Sequence, residues 1–221
     1  MLELPAIVGR TYRRTPVFSE EIGYLVFSPY WHVPPGIARN DILPAVKKNP
    51  TYLEEKQIRV FEGSGTDVRE VAPRNIDWKV ISASALPYRF RQDPGPGNAL
   101  GPIKFMFPNR FNVYLHGTPT QELLDEDVRS LSSGCIRVAR PLELAAYLLA
   151  DDPTWNEQRI QKAAVRGQEQ TVHLKQRIPI HILYWTAWVE SDEVVHFRRD
   201  PYERDEALRK ALQDKPPQPA P

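Results

Sequence analysis

Tyr114-Leu115-His116-Gly117 and, beyond a polar connection, Ser132-Ser133-Gly134-Cys135-Ile136-Arg137 decide how this chain is read. Each segment sets a chemically able side chain among small residues at the end of a short apolar run, Phe111 to Leu115 in one case and Leu131 in the other. Such runs read as strands whose ends open toward a substrate. Cys135 is the only cysteine. A lone cysteine reads either as a small buried hydrophobe or as a nucleophile. Ser-Ser-Gly brings little apolar volume to a core. Gly134 lets the backbone approach a ligand and places an N–H beside the sulfur, which favours the nucleophile. A free thiol has a pKa of about 8.5 and needs a neighbour to take its proton, and His116 is the candidate base.

Outward from this segment, Ala6 to Gly9, Tyr24 to Phe27, Ile58 to Phe61, Tyr88 to Gln92, Ile103 to Met106 and Phe111 to Leu115 read as strands, the last with Phe111, Val113 and Leu115 on one face. Ile42 to Asn49 and Pro50 to Gln57 have helical composition, and Asn49-Pro50 supplies a stop and a proline-first restart. Pro141 to Ala150 places Leu142, Leu144, Ala145, Leu148 and Leu149 as in an amphipathic helix, and Trp155 to Arg166 is a second helix ended by Gly167. Thr171 to Leu174 and Ile180 to Val189 are extended. Val194 to Arg198 pairs with the latter as a hairpin across Glu190-Ser191-Asp192-Glu193, and Asp205 to Gln213 is a short terminal helix. Strands with segregated helices predict a mainly β fold, β or α+β, rather than parallel βαβ units.

Composition narrows the function. With 221 residues and a net charge of +1 there is no polybasic face for nucleic acid, so small-molecule or peptide chemistry is the better expectation. No apolar stretch approaches the roughly eighteen residues that span a bilayer. Met1 to Pro5 lacks the pattern of a secretory signal, which fits a cytosolic chain or a mature product equally. No histidine pair has helical zinc spacing, and there is neither a phosphate loop nor a dinucleotide fingerprint, so neither metal nor cofactor is expected. His173, His181 and His196 read as structural, and His32 as an unforced substrate contact. Of the 22 prolines, those in Ser28 to Gly36 and Asp93 to Asn98 read as rigid loops, and those in Pro216 to Pro221 as a disordered tail.

The order of His116-Gly117 ahead of Ser132-Ser133-Gly134-Cys135-Ile136-Arg137 resembles the L,D-transpeptidase catalytic domain (YkuD-type) and differs from papain-like peptidases, where the cysteine comes first. Ile7-Val8-Gly9-Arg10, Thr15-Pro16, Trp31 to Pro35 and Asn98-Ala99-Leu100-Gly101 extend the likeness to large Gram-negative members over most of residues 6–200. The resemblance implies a β-sandwich in residues 1–200 with a lid insertion at about 35–89, followed by a short helix and tail in 201–221. It implies Cys135 as nucleophile, His116 as base held by the Gly117 carbonyl, and an oxyanion site of backbone N–H groups around Gly134 and Cys135. Arg137, Ser133, Ser132, Tyr114, Asn98 and Trp31 would contact substrate. The implied partners are peptidoglycan stem peptides and carbapenem-type inhibitors. The implied setting is the periplasm or cell envelope, with a monomer expected. Formation of 3→3 crosslinks leads, with an L,D-carboxypeptidase and an impaired peptidoglycan-binding scaffold as alternatives. The resemblance also implies a missing opening hairpin that would leave a sheet edge unpaired.

Overall fold

A computed structural model of the protein describes residues 2–190 and 193–213. The expected proline-rich tail and the centre of the Glu190-to-Glu193 connection lie outside the described residues. The chain order is β1 (Ala6–Gly9), β2 (Phe18–Phe27), β3 (Trp31–His32), α1 (Pro35–Ile37), a π-helical turn (Ala38–Ile42), α2 (Leu43–Lys48), α3 (Tyr52–Glu55), β4 (Ile58–Glu62) and β5 (Arg69–Val71). It continues with β6 (Arg89–Gln92), β7 (Ile103–Met106), β8 (Leu115–His116), β9 (Ser130–Ser132), β10 (Ile136–Val138), α4 (Pro141–Leu148), α5 (Glu157–Ala164), β11 (Gln170–Ile182), β12 (Ala187–Val189), β13 (Val195–Phe197) and α6 (Asp205–Gln213). The mainly β architecture, with helices after the cysteine, is the one expected.

Seven strands form one sheet in the order β11-β2-β7-β8-β10-β1-β9. Cross-strand partners share a face, so the register sorts side chains into two rows. Leu25, Phe105, Leu115 and Ile136 lie in one row and pack over Ala145, Leu148, Trp155 and Ile160 of the α4–α5 layer. Val26, Lys104, His116, Arg137 and Ile7 lie in the other row. The candidate base therefore sits on the face away from the main core. Pro141 opens α4 where its missing N–H costs nothing, and Asn156 caps α5 by accepting from Arg159 N at 2.9 Å.

The insertion folds on itself as a second sheet, β3-β6-β4-β5, with its own core of Ile42, Leu43, Val46, Leu53, Val60, Trp78 and Phe90. Its helical part begins at Pro35, earlier than the composition suggests, because Pro34-Pro35-Gly36 starts a helix instead of forming a rigid loop. Three further expectations change. β2 extends back to Phe18 and β11 is one strand to Ile182, paired along its length with a register shift between His173 and Ile178. Of Phe111 to Leu115 only Leu115 is in a strand, since Asn109 Nδ2 donates to Phe107 O (2.6 Å) and Val113 O (2.7 Å) and folds the residues before it into a turn. β1 lies inside the sheet, with β10 antiparallel on one side and β9 parallel on the other, and the outer strands are β11 and β9.

A buried chain of hydrogen bonds ties the front of the chain to the cysteine loop. Tyr202, 2% exposed, donates its hydroxyl to Gly9 O at 2.6 Å and accepts from Thr15 N at 3.2 Å. Thr15 Oγ1 accepts from Gly9 N and donates to Gly134 O, both at 2.9 Å. Tyr202→Phe strands two buried backbone groups and should cost about 1–3 kcal/mol. Urea denaturation should show a lower midpoint with an unchanged slope, and an unmoved midpoint would contradict the network.

Candidate active site

The cysteine loop has a topological cause. β9 and β10 flank β1, so Ser133-Gly134-Cys135 must cross the end of β1 in three residues. Gly134 makes the crossing at φ 115°, a conformation that side chains disfavour. Ser132, 2% exposed, braces the turn: its hydroxyl accepts from Gly134 N (3.1 Å) and donates to Cys135 O (2.6 Å). Ser132 thus braces the turn and also lines the groove beside Cys135. The Gly134 N–H, expected to serve an oxyanion, is already engaged, and among the described residues this leaves the Ser133 and Cys135 N–H groups as the donors of this loop aimed at no protein group.

His116 and Cys135 line one groove of about 500 Å³, lined also by Trp31 and, from the insertion, by Ile37 and Asp41. His116 is buried, and its Nδ1 lies 2.6 Å from Gly117 O, which fixes the N–H on Nδ1 and leaves Nε2 as the basic nitrogen. A Cβ on Gly117 would meet Pro102 Cδ at 2.9 Å, so glycine is needed for this approach. Among the described residues no hydrogen bond joins the thiol to the imidazole. Sγ instead points at Asn112 O, 3.9 Å away, with the Tyr114 N–H and hydroxyl beside it.

Burial pushes the Cys135 thiol above its ordinary value, against the Tyr114 N–H and the Arg137 charge, which pull it down. Burial, and then the Arg137 charge, hold His116 down at about 4, against the Gly117 and Leu100 carbonyls. Burial, and then the neighbouring thiol, push the Tyr114 hydroxyl up. At neutral pH the free site therefore holds a neutral thiol and a neutral imidazole.

The remaining expected contacts divide. Trp31, Tyr114, Ser133 and Arg137 line the groove. Asn98 does not: it is 1% exposed and its amide is consumed by backbone, donating to Pro29 O (3.0 Å) and Asp93 O (2.9 Å) and accepting from Leu100 N (2.8 Å). Its role is to shape the loop whose Leu100 carbonyl faces His116. Sequence reading missed Arg10, Arg13 and Asp41. Arg13 Nη1 reaches both Asp41 Oδ2 (2.7 Å) and Ser133 Oγ (2.8 Å), so it spans from the insertion to the cysteine loop. The arginines that follow Gly9 were the available signal.

The depressed His116 pKa makes a linkage prediction. Unfolded, the imidazole binds its proton near 6.5; folded, near 4, so between these values acid favours the unfolded chain. The stability held by neutral His116 is present above about pH 6.5 and is lost as the pH falls toward 4, by up to about 3 kcal/mol. Urea denaturation should show the wild type losing more than His116→Gln over this interval. A difference independent of pH would mean that the imidazole is not buried neutral.

The L,D-transpeptidase catalytic domain family, YkuD, matches residues 1–161, which include both His116 and Cys135. A Haemophilus influenzae protein that carries the provisional name L,D-transpeptidase is 35% identical over 196 residues, covering 89% of this chain and 39% of that protein. The chain thus spans well under half of that relative's length. No helix of the described residues is long and apolar enough to cross a membrane. A cysteine and a neutral histidine sharing a groove accord with these matches, and the chain belongs to the YkuD family of cysteine-dependent L,D-transpeptidase catalytic domains.

Proposed function

We propose that the protein is a peptidoglycan L,D-transpeptidase that forms 3→3 crosslinks in the cell envelope, in the periplasm, with Cys135 as nucleophile and His116 as base. The observation that carries this reading is the neutral imidazole with its Nδ1 committed, beside a thiol in the same groove. Cys135 turns from the Asn112 carbonyl toward the imidazole and passes its proton to Nε2, a contact that commonly tightens only with substrate bound. The sulfur attacks the carbonyl carbon of the third stem residue. The Cys135 N–H stabilises the oxyanion, a donor worth about 3 kcal/mol. The C–N bond to D-Ala breaks, His116 returns its proton to the departing amine, and a thioester remains. An amine of a second stem attacks the thioester carbonyl, gives its proton to His116, and the thiol is regenerated.

The insertion at Pro35 to Arg89 serves as a lid in this reading. The Arg13 bridge to Asp41 and Ser133 supports that role by joining the insertion to the cysteine loop. A covered groove excludes water and favours an amine acceptor over hydrolysis.

A carbapenem should add its mass to the wild-type chain, and Cys135→Ala should abolish the adduct. With a disaccharide tetrapeptide, mass spectrometry should find D-Ala and a crosslinked dimer. Tripeptide alone would make the protein a carboxypeptidase, and a folded wild type that binds muropeptide without any adduct would make it a scaffold.

A further inference from the structure

Four charged side chains line the groove around Cys135: Arg10, Arg13, Arg137 and Asp41. The one carboxylate is spent, since Asp41 is paired with Arg13 at 2.7 Å. Among the described residues Arg10 reaches only a neutral partner, the Tyr12 hydroxyl, at 3.0 Å. The Arg137 guanidinium makes no hydrogen bond among the described residues, and its Nε is buried without a partner. A buried arginine nitrogen left unsatisfied is costly and rare. Burial, and then the charge of Arg10, press on Arg137, and the Cys135 sulfur is the smaller influence that opposes them.

Two uncompensated guanidinium groups on the wall of a peptide-sized groove call for an anion supplied by the ligand. Planar guanidinium groups match the two oxygens of a carboxylate. We propose that Arg10 and Arg137 form a carboxylate-binding subsite beside Cys135 that selects stem peptides with a free carboxylate close to the attacked carbonyl. The inference rests on the acyl-transfer reading for its ligand class and adds a selection rule to it. A stem carries two such groups: the terminal carboxylate of D-Ala, and the second carboxylate of the third residue when that residue is diaminopimelate. Arg13 plays no part because Asp41 already neutralises it.

The test removes turnover. Cys135→Ala protein is titrated calorimetrically with a diaminopimelate tetrapeptide as the free acid, with its D-Ala carboxylate amidated, and with its third-residue carboxylate amidated. One amidated form should bind about thirtyfold or more weakly than the free acid, the usual scale for stripping one partner from a buried charge pair. The form that weakens identifies which carboxylate is read. Adding Arg137→Gln, or separately Arg10→Gln at an exposed position that threatens folding less, should shrink that ratio toward one by weakening the free acid while barely moving the amidated form. Equal binding of all three peptides, no measurable binding of the free acid, or variants that weaken every form alike would overturn the subsite. The active protein reports separately: discrimination in binding without D-Ala release would sink the transpeptidase reading alone, and D-Ala release without discrimination would sink the subsite alone.

Discussion

The pairing of β10 beside β8, Ile136 against Leu115 and Arg137 against His116, is the constraint on which the rest of the site depends. It places the sheet's apolar row over the α4–α5 layer and its basic row toward the groove in a single act. A slip of β10 by one residue would drive Arg137 into the main core and turn Ile136 outward, and a slip of β8 would do the same with His116 and Leu115, exchanging buried hydrocarbon for a buried polar or charged group. The core thus enforces the orientation of the chemistry. No separate device is needed to aim the histidine, and Gly117 only fixes which nitrogen carries the hydrogen.

Holding the cysteine demands more. A crossing of three residues over the end of β1 has few solutions, and the one adopted uses a positive φ at Gly134 with both of its backbone polar groups captured, the N–H by Ser132 and the carbonyl by Thr15. Gly9 lies beneath the crossing, where a Cβ would collide with Arg13 O at 2.1 Å. Thr15 and Tyr202 then transmit the position of β1 to the loop. Tyr202 is far along the chain yet fully enclosed there, so a residue that touches no groove atom helps determine where Sγ lies.

What could be read from the sequence follows from what is local. Alternation in Ile103 to Met106, the proline-first pattern of Pro141 and the motif around Cys135 are all set by neighbours in sequence, and they survive in the fold. The failures have non-local or side-chain causes. Phe111 and Val113 alternate as a strand would, but the amide of Asn109 outbids the ladder, and Asn112 enters the left-handed region. Asn98 looked like a groove residue because it stands beside residues that are. Its burial depends on carbonyls at Pro29 and Asp93, one of them distant in sequence. The roles of Arg10 and Arg13 required knowing which arginine Asp41 would meet.

Arg137 acts on the two reacting groups with opposite signs. Its charge favours thiolate at Cys135 and disfavours imidazolium at His116, so in the free protein it does not favour the ion pair as a whole. Burial disfavours both charged forms. The resting pair is therefore neutral, which protects the single thiol from oxidation and stray electrophiles, since the thiolate is the reactive species. A carboxylate seated on Arg137 changes the balance. It cancels part of the charge that suppresses imidazolium, so the base strengthens when the anionic ligand arrives, while the ligand's own bulk displaces water from the groove. The same cancellation weakens the pull toward thiolate at Cys135, so the seated carboxylate strengthens the base without by itself favouring the ion pair. A ligand without the carboxylate would lose affinity and would also leave His116 as weak a base as it is in the free protein.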